Sequence, residues 1–197
     1  TADCYPGTSC LINKLGIQDE TKLAETEAAV VLGKASFLDQ QPVTGKFDFT
    51  HYRSIHYFLF CDLYDWAGQI RTINISKKGT VFVSAAEIQA CADACFTRLA
   101  AFTGEGRSHQ EIIEEIADFY STINMLHPFR EGNGRTQRLF FTQWIRHLGY
   151  EFDLSNADLD EFMIATIYAA QGVMDPLIKF FDETIQEPIV GADMALQ

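Results

Sequence analysis

One twelve-residue stretch decides how this chain is organised: His127-Pro128-Phe129-Arg130-Glu131-Gly132-Asn133-Gly134-Arg135-Thr136-Gln137-Arg138. Before it, Ser108 and Glu111 form a capping-box pattern, and apolar residues follow at helical spacing. Pro128 cannot continue a helix, so that helix should end near His127. After the stretch, helical spacing resumes until Gly149, a typical C-terminal cap residue. The stretch is therefore predicted to join the end of one buried helix to the start of the next.

The start of the second helix has the features of an anion site. Free N–H groups and the positive end of the helix dipole attract anions there. Gly132 and Gly134 allow positive φ and a close approach to a ligand, and their N–H groups could form an anion-binding nest. Asn133 adds a side-chain donor. Arg135 and Arg138 are three residues apart, so they share a helix face and could reach two phosphates of one nucleotide.

Two further residues supply the chemistry that a bound polyphosphate needs. Glu131 is a hard oxygen ligand, suited to Mg²⁺ that also binds phosphate oxygens. His127 has an ordinary pKa of roughly 6.5, so it can take a proton from a hydroxyl near neutral pH. Each residue alone has an ordinary interpretation, as a turn glycine, a surface arginine or a histidine at a helix dipole. The combination at this spacing favours the functional interpretation.

At these residues the chain resembles the Fic family (filamentation induced by cAMP, in the Fic/Doc superfamily). The family pattern is His-x-Phe-x-(Asp/Glu)-Gly-Asn-Gly-Arg-x-x-Arg, and residues 127–138 match it throughout. Four other stretches are similar to bacterial Fic proteins: Tyr5-Pro6-Gly7, Asn13-Lys14-Leu15-Gly16, residues 65–71 and residues 74–77. The resemblance runs from about residue 5 to about residue 182. It implies an all-α fold, a compact Fic-type helical bundle with one β-hairpin called the flap.

The resemblance implies a nucleotidyltransferase, namely a protein adenylyltransferase that moves AMP from ATP to a Ser, Thr or Tyr hydroxyl of a target protein and releases pyrophosphate. It implies that His127 is the general base, that Glu131 binds Mg²⁺ and that Phe129 packs inward. The nucleotide ligands that it implies are Lys78, Gly79, Gly132, Asn133, Gly134, Arg135, Gln137 and Arg138, the last of them for the γ-phosphate. Such chemistry depends mostly on positioning and charge stabilisation.

Other interpretations remain open at this point. Doc-type kinases carry Lys where this chain has Gly134, which favours AMP transfer, but phosphate or phosphocholine transfer is not excluded by the motif. A nucleotide-binding module that has lost catalysis is a further alternative, and the intact His127 and Glu131 count against it.

Residues 71–83 are rich in β-formers around Gly79 and predict a hairpin. In the family this flap covers the site and aligns a target segment by strand addition, which an exposed strand edge can do. The implied target contacts are Thr80, Val81 and Phe82, with Lys78 and Gly79 near the nucleotide. A purely structural hairpin is the alternative.

Composition narrows the remaining choices. The length of 197 residues predicts a single domain, and sixteen Phe exclude disorder. A net charge of −12 argues against direct nucleic-acid binding and against anionic membranes. No apolar run reaches membrane-spanning length, and no signal-peptide pattern opens the sequence. The five cysteines predict reduced thiols in a cytoplasmic bacterial protein, rather than a disulfide between Cys4 and Cys10.

Helices are predicted near 19–38, 48–66, 84–102 and 156–170, in addition to the two that flank the motif. Ser84 and Glu87 form a second capping box, Asp175-Pro176 opens a last helix, and Pro188 stops it. The predicted organisation is an N-terminal extension over residues 1–18, a Fic domain over 19–187 and a loose tail over 188–197.

Many Fic proteins are held inactive by a helix with the pattern (Ser/Thr)-x-x-x-Glu-(Gly/Asn), whose Glu pairs with the last motif arginine, here Arg138. Thr21 and Glu25 approach this pattern, but Thr26 occupies its last position. Glu105-Gly106 fails because Ala101 stands at its first position. We therefore predict that a separate small antitoxin supplies the inhibitory helix. The oligomeric state and the target stay open.

Overall fold

The computed structural model describes residues 2–187. Within them the chain forms helices and one small hairpin, which confirms the predicted fold class. The helices are α1 (Glu20–Gln40), α2 (Phe49–Phe60), α3 (Ile88–Ala101), α4 (His109–Leu126), α5 (Asn133–His147), α6 (Leu159–Ala170) and α7 (Asp175–Thr184). The hairpin pairs β1 (Ser76–Lys77) with β2 (Thr80–Val81) in antiparallel register.

Helix α4 lies at the centre of the bundle, packed against α3, α5, α6 and α7. Aromatic rings fill the space between α4 and α5. The Trp144 ring lies 5.6 Å from Phe119 and 5.6 Å from Phe141, nearly perpendicular to both. Edge-to-face rings of this kind pack densely and contribute beyond their buried area. The two helices that flank the motif are therefore held together by a cluster of buried aromatic rings.

The start of α4 is formed as its sequence predicts. The Ser108 hydroxyl accepts from the Glu111 N–H (3.2 Å), and the Glu111 carboxylate accepts from the Ser108 N–H (3.3 Å). The second predicted box is wrong: the Ser84 hydroxyl donates to the Glu87 carboxylate (2.9 Å) instead, and a short 3₁₀ turn precedes α3. A serine and a glutamate three residues apart can bond to each other as well as to the backbone, which the spacing alone does not reveal.

Several predicted boundaries are corrected. Helix α2 ends at Phe60 rather than near residue 66, because the chain turns through residues 61–68 with Gly68 at φ 76. The strands of the hairpin have two residues each, so most of the predicted 71–83 segment lies outside the strands, in bends, a turn and irregular chain. Helix α6 starts at Leu159 rather than near 156, and Asp175 is the first residue of α7 rather than its cap. The predicted stop at Pro188 and the tail lie outside the described residues.

The segment before α1 packs on the bundle without forming a helix. Cys4 and Leu11 form an isolated bridge, and the Lys14 N–H donates to the Leu63 carbonyl (2.8 Å). The five cysteines are free; Cys4, Cys10 and Cys95 are buried, Cys61 is half-buried and Cys91 is exposed. In the part of the chain that the structure describes, no helix is long and apolar enough to cross a membrane.

Because the capping box fixes the start of the helix that ends at His127, we expect Ser108→Ala to lower the free energy of unfolding by about 1 kcal/mol. Urea titration of the purified protein would measure this. Ser36→Ala is the control, because that hydroxyl donates to a carbonyl within α1 and caps nothing. Equal losses in the two variants would contradict the capping role.

Candidate active site

The motif loop, residues 127–132, leaves α4 through an unusual backbone conformation. His127 occupies the C-cap position at φ 42 and ψ 61, in the left-handed region that glycine usually fills. For a residue with a Cβ this conformation costs on the order of 1–3 kcal/mol, so the surroundings must over-determine it. The turn carries the His127 side chain into a cavity between the hairpin, α4, α5 and α6.

Two side chains hold the middle of the loop. The Asn133 amide spans Phe129, because its Oδ1 accepts from the Phe129 N–H (2.9 Å) and its Nδ2 donates to the Phe129 carbonyl (2.7 Å). The Gly68 N–H donates to Nδ1 of His56 (2.8 Å), so the ring proton is on Nε2, which donates to the Glu131 carbonyl (2.9 Å). The buried Phe129 ring stacks on His56 with centroids 3.8 Å apart, which confirms that Phe129 packs inward.

The cavity has a volume of about 320 Å³ and joins the two segments that the sequence singled out. The predicted residues that line it are Lys78, Thr80 and Phe82 from the hairpin and His127, Gly134, Gln137 and Arg138 from the motif. These segments are some fifty residues apart in the chain and meet only through the fold. The predicted residues outside its lining are Gly79, Val81, Glu131, Gly132, Asn133 and Arg135.

The His127 ring is covered by Phe82. The two rings are parallel within 7°, with centroids 3.7 Å apart, and Phe82 is 8% exposed. Burial, with smaller contributions from the charges of Arg71 and Lys77, lowers the pKa of His127 to about 3. The imidazole is therefore neutral near pH 7 and able to accept a proton. In this state the Phe82 ring lies on His127, and its predicted contact with a target stays a prediction.

The hairpin turn is set by its two central residues. Lys78 at φ 49 and Gly79 at φ 80 both have the positive φ that a two-residue type I′ turn requires. The Lys78 ammonium lies 3.3 Å from the Met163 sulfur of α6, so the turn closes over that helix. Val81 is 76% exposed, which leaves an apolar side chain on the outer strand available to a partner.

The start of α5 requires a glycine. Gly132 is the N-cap at φ 80, and an added Cβ would lie 2.2 Å from the Phe60 ring. The first N–H groups of a helix have no partner within it, and they carry its positive dipole end. Gly134 is exposed beside the cavity, in the first turn of α5, so a phosphate could approach the backbone there.

The two motif arginines have different surroundings. Arg138 lines the cavity, and among residues 2–187 no carboxylate lies within ion-pair distance of it. Arg135 is paired closely with Glu27 of α1 and lies 3.9 Å from Glu131. Its guanidinium also lies over the Phe60 ring at 5.0 Å. In this state Arg135 is therefore held by protein groups, and Arg138 is the arginine free to meet an anion.

Sequence reasoning missed Glu27. It is 8% exposed, accepts from the Tyr64 hydroxyl and lies 108 residues before Arg135. Burial and the Glu27 carboxylate raise the pKa of Tyr64, so that phenol stays protonated and donates. One signal was available: Glu27 stands four residues from both Leu23 and Val31, on the buried stripe of α1. A carboxylate in an apolar stripe indicates a buried partner.

Two predicted nucleotide ligands are bound to the protein itself. The Gln137 amide donates to the Tyr120 carbonyl (2.7 Å) and so ties α5 to α4. The Asn133 amide bonds to the main chain of Phe129 through both its oxygen and its nitrogen. Any contact of these two residues with a nucleotide stays a prediction.

The predicted metal ligand is accessible. The Glu131 side chain is 44% exposed, and its Oε1 accepts from the Gly132 N–H (3.3 Å). Over residues 2–187 no group of three metal-binding side chains is found. A single open carboxylate beside a helix start fits Mg²⁺ of the kind that binds mainly through phosphates and water.

Known proteins are similar to this chain in sequence. The sequence model of the Fic/DOC family matches residues 46–145. The chain is 38% identical over 176 residues to the protein of Sinorhizobium fredii named "probable protein adenylyltransferase y4lH", with 88% of this chain and 90% of that protein covered. It is 34% identical over 178 residues to protein adenylyltransferase VbhT of Bartonella schoenbuchensis, covering 88% of this chain and 37% of VbhT.

A solved structure extends the similarity to the whole fold. The N-terminal Fic domain of a Bep effector protein from Bartonella quintana, with bound ADP, superimposes with a TM-score of 0.87 at 28% identity, covering 95% of this chain and 96% of that domain. The chain therefore belongs to the Fic/DOC family. The predicted domain limits, 1–18 and 19–187, stay predictions.

Burial also lowers the pKa of His56, to about 4. Because the unfolded chain protonates these histidines near pH 6.5 and the folded one does not, stability should fall as pH drops below that value. Each of the two histidines lowers the free energy of unfolding by about 1.4 kcal/mol per pH unit as the pH falls from roughly 6 to 5. We expect His127→Gln to reduce the change of the free energy of unfolding with pH by the contribution of one histidine. Urea titrations across that pH range would measure this. An unchanged slope would contradict a neutral, buried His127.

Proposed function

We propose that this chain is a Mg²⁺-dependent protein adenylyltransferase that transfers AMP from ATP to a hydroxyl of a target protein. One observation carries the proposal: the neutral His127 imidazole lines one cavity beside the start of α5 together with the Arg138 guanidinium, which has no carboxylate partner among residues 2–187. The ADP bound to the Bartonella quintana relative supports a nucleotide as the ligand. The names of the two relatives support AMP as the transferred group.

Each group around the cavity has one role in the proposed transfer. The target oxygen attacks the α-phosphorus, the bond from that phosphorus to the bridging oxygen breaks, and pyrophosphate leaves. His127 accepts the proton that the hydroxyl loses. The N–H groups at the start of α5 and the Arg138 guanidinium hold the phosphates. Glu131 would hold Mg²⁺, which supplies positive charge against the developing negative charge on the phosphates.

The hairpin is the proposed docking site for the target. Among residues 2–187 its two strands pair only with each other, and the exposed Val81 beside Thr80 can contact an added strand through backbone hydrogen bonds and its side chain. Because Phe82 covers the His127 ring, the hydroxyl must reach the imidazole past that ring. We place the reaction in the bacterial cytoplasm, where ATP is available and the thiols stay reduced.

The test is transfer from α-labelled ATP to proteins of a bacterial lysate in the presence of Mg²⁺. We expect His127→Ala to lower transfer by roughly 10²–10⁴-fold, because general-base catalysis contributes that much. ATP binding should stay within about threefold, since the phosphate-binding groups are intact. His147→Ala is the matched control, a histidine that is exposed on α5 and outside the cavity.

Wild-type rates in His127→Ala would refute the base assignment. The mass added to the target separates the alternatives, because AMP, phosphate and phosphocholine differ in mass. ATP binding without any modification in the wild type would favour the binding-module alternative.

We also propose that a separate antitoxin regulates the enzyme. A groove of about 650 Å³ runs between α1 and α5, and Arg138 lines both this groove and the cavity. The groove has an apolar wall that includes Val31 and Leu32, and Leu32 is 69% exposed. An amphipathic helix in this groove could bring a carboxylate to Arg138 and so exclude the γ-phosphate.

If inhibition comes from another protein, Glu25→Gly should leave the transfer rate of the purified chain within about twofold, because Glu25 is exposed on α1 and the carboxylate of α1 that pairs with a motif arginine is Glu27, with Arg135. Glu25→Gln is the control, since it removes the charge without the helix-breaking effect of glycine. Strong activation by both variants would show that the chain inhibits itself.

A further inference from the structure

Arg71 is a buried cation that bonds to carbonyl oxygens. It is 4% exposed, and burial lowers its pKa. Over residues 2–187 its side chain donates to four main-chain carbonyls: those of His127 (2.7 Å), Ile73 (2.7 Å), Leu126 (3.4 Å) and Val83, the closest. The main-chain N–H of Arg71 donates to the Pro128 carbonyl (2.8 Å). A desolvated guanidinium is unfavourable unless many acceptors surround it, and here they do.

The four carbonyls come from two functional segments. Ile73 and Val83 lie at the two ends of the hairpin segment, so Arg71 closes the base of the hairpin. Leu126 and His127 form the left-handed turn at the end of α4. One side chain therefore connects the proposed docking hairpin to the proposed base. The negative end of the α4 dipole favours a cation at this position.

The rigid fork of arginine is what makes this connection. A guanidinium carries five donors in one plane, whereas a lysine ammonium is a point charge with three donors. Lysine could keep the charge but could not reach carbonyls on both segments at once. Without the connection, the strained His127 conformation and the hairpin could relax separately.

We propose that Arg71 is a positioning residue that holds His127 in its left-handed turn and keeps the hairpin in register above it. This rests on the proposed transfer reaction. A target strand that docks on the hairpin is thereby delivered to the imidazole in a fixed geometry, and no contact between Arg71 and either substrate is required.

The test compares Arg71→Lys with wild type in transfer kinetics. We expect kcat to fall by about 10²-fold, because a displacement of about 1 Å at a reacting group has an effect of that size. The dissociation constant of Mg-ATP should change by less than about threefold, since the start of α5 and Arg138 are untouched. Arg53→Lys is the matched control. The Nε of Arg53 donates to the carbonyl of Gly68 (2.8 Å), three residues before Arg71 in the chain, and does not bond to His127 in the part of the chain that the structure describes. Arg53→Lys should leave kcat within about threefold.

A second measurement does not depend on activity. The Phe82 ring, 3.7 Å from the His127 ring, should shift the His127 proton resonances upfield in NMR spectra. We expect Arg71→Lys to reduce this shift and Arg53→Lys to keep it. If the wild type transfers no AMP, the proposed function fails, and the NMR comparison still tests the positioning role.

Three results would overturn the inference. One is full kcat together with an unchanged His127 shift in Arg71→Lys. Another is a loss that lies entirely in Mg-ATP binding. The third is that both Arg71→Lys and Arg71→Gln fail to fold at room temperature by circular dichroism, because the role would then be general stability. A folded Arg71→Lys with reduced kcat, ordinary Mg-ATP binding and a reduced shift supports it.

Discussion

The hydrogen-bonding needs of one non-helical loop organise this structure. Residues 127–132 lie between two buried helices, where water cannot satisfy every main-chain group, so protein donors must do so. Arg71 donates to the carbonyl of His127 at the start of the loop. The Asn133 amide donates to the Phe129 carbonyl, and His56 donates to the Glu131 carbonyl. Arg130 is paired closely with Asp3 of the N-terminal segment. Asn133, which follows the loop directly, and three distant parts of the chain thus converge on six residues, and the site acquires its shape from that convergence.

The charged side chains around this loop also have specific partners. The chain has a net charge of −12, yet cationic groups border the cavity. Glu27 neutralises Arg135, and its own position is fixed by the Tyr64 hydroxyl. Among residues 2–187 the motif arginine without a carboxylate partner is therefore Arg138, which lies where the cavity and the α1–α5 groove meet. Under the proposed function, its guanidinium would bind either a phosphate in the cavity or an antitoxin carboxylate in the groove, and the two ligands would exclude each other.

The sequence predicted what local chemistry determines and missed what distant contacts determine. Pro128 and the Ser108 capping box located the loop between two helices, and Gly79 located the hairpin turn, because each acts through its own backbone. The end of α2 was missed because Trp66 and Ala67 continue an apolar pattern through a turn. His56, Glu27 and Arg71 were missed as site residues since each acts on residues 56 to 108 positions away. Their residue types carry little information until the fold supplies the partner.

The low pKa of His127 is at first sight at odds with its proposed role as a base. The Phe82 ring that covers the imidazole explains how the two can be reconciled. A base whose pKa is about 3 is weak, and the efficiency of general-base catalysis is highest when the pKa is near the working pH. Burial is the largest cause of the shift, and Phe82 is part of that burial. Anionic phosphates at the start of α5 would bring negative charge near the imidazole, and nearby negative charge raises the pKa of a histidine. Under the proposed function, the bound nucleotide therefore strengthens the base that acts on the target hydroxyl.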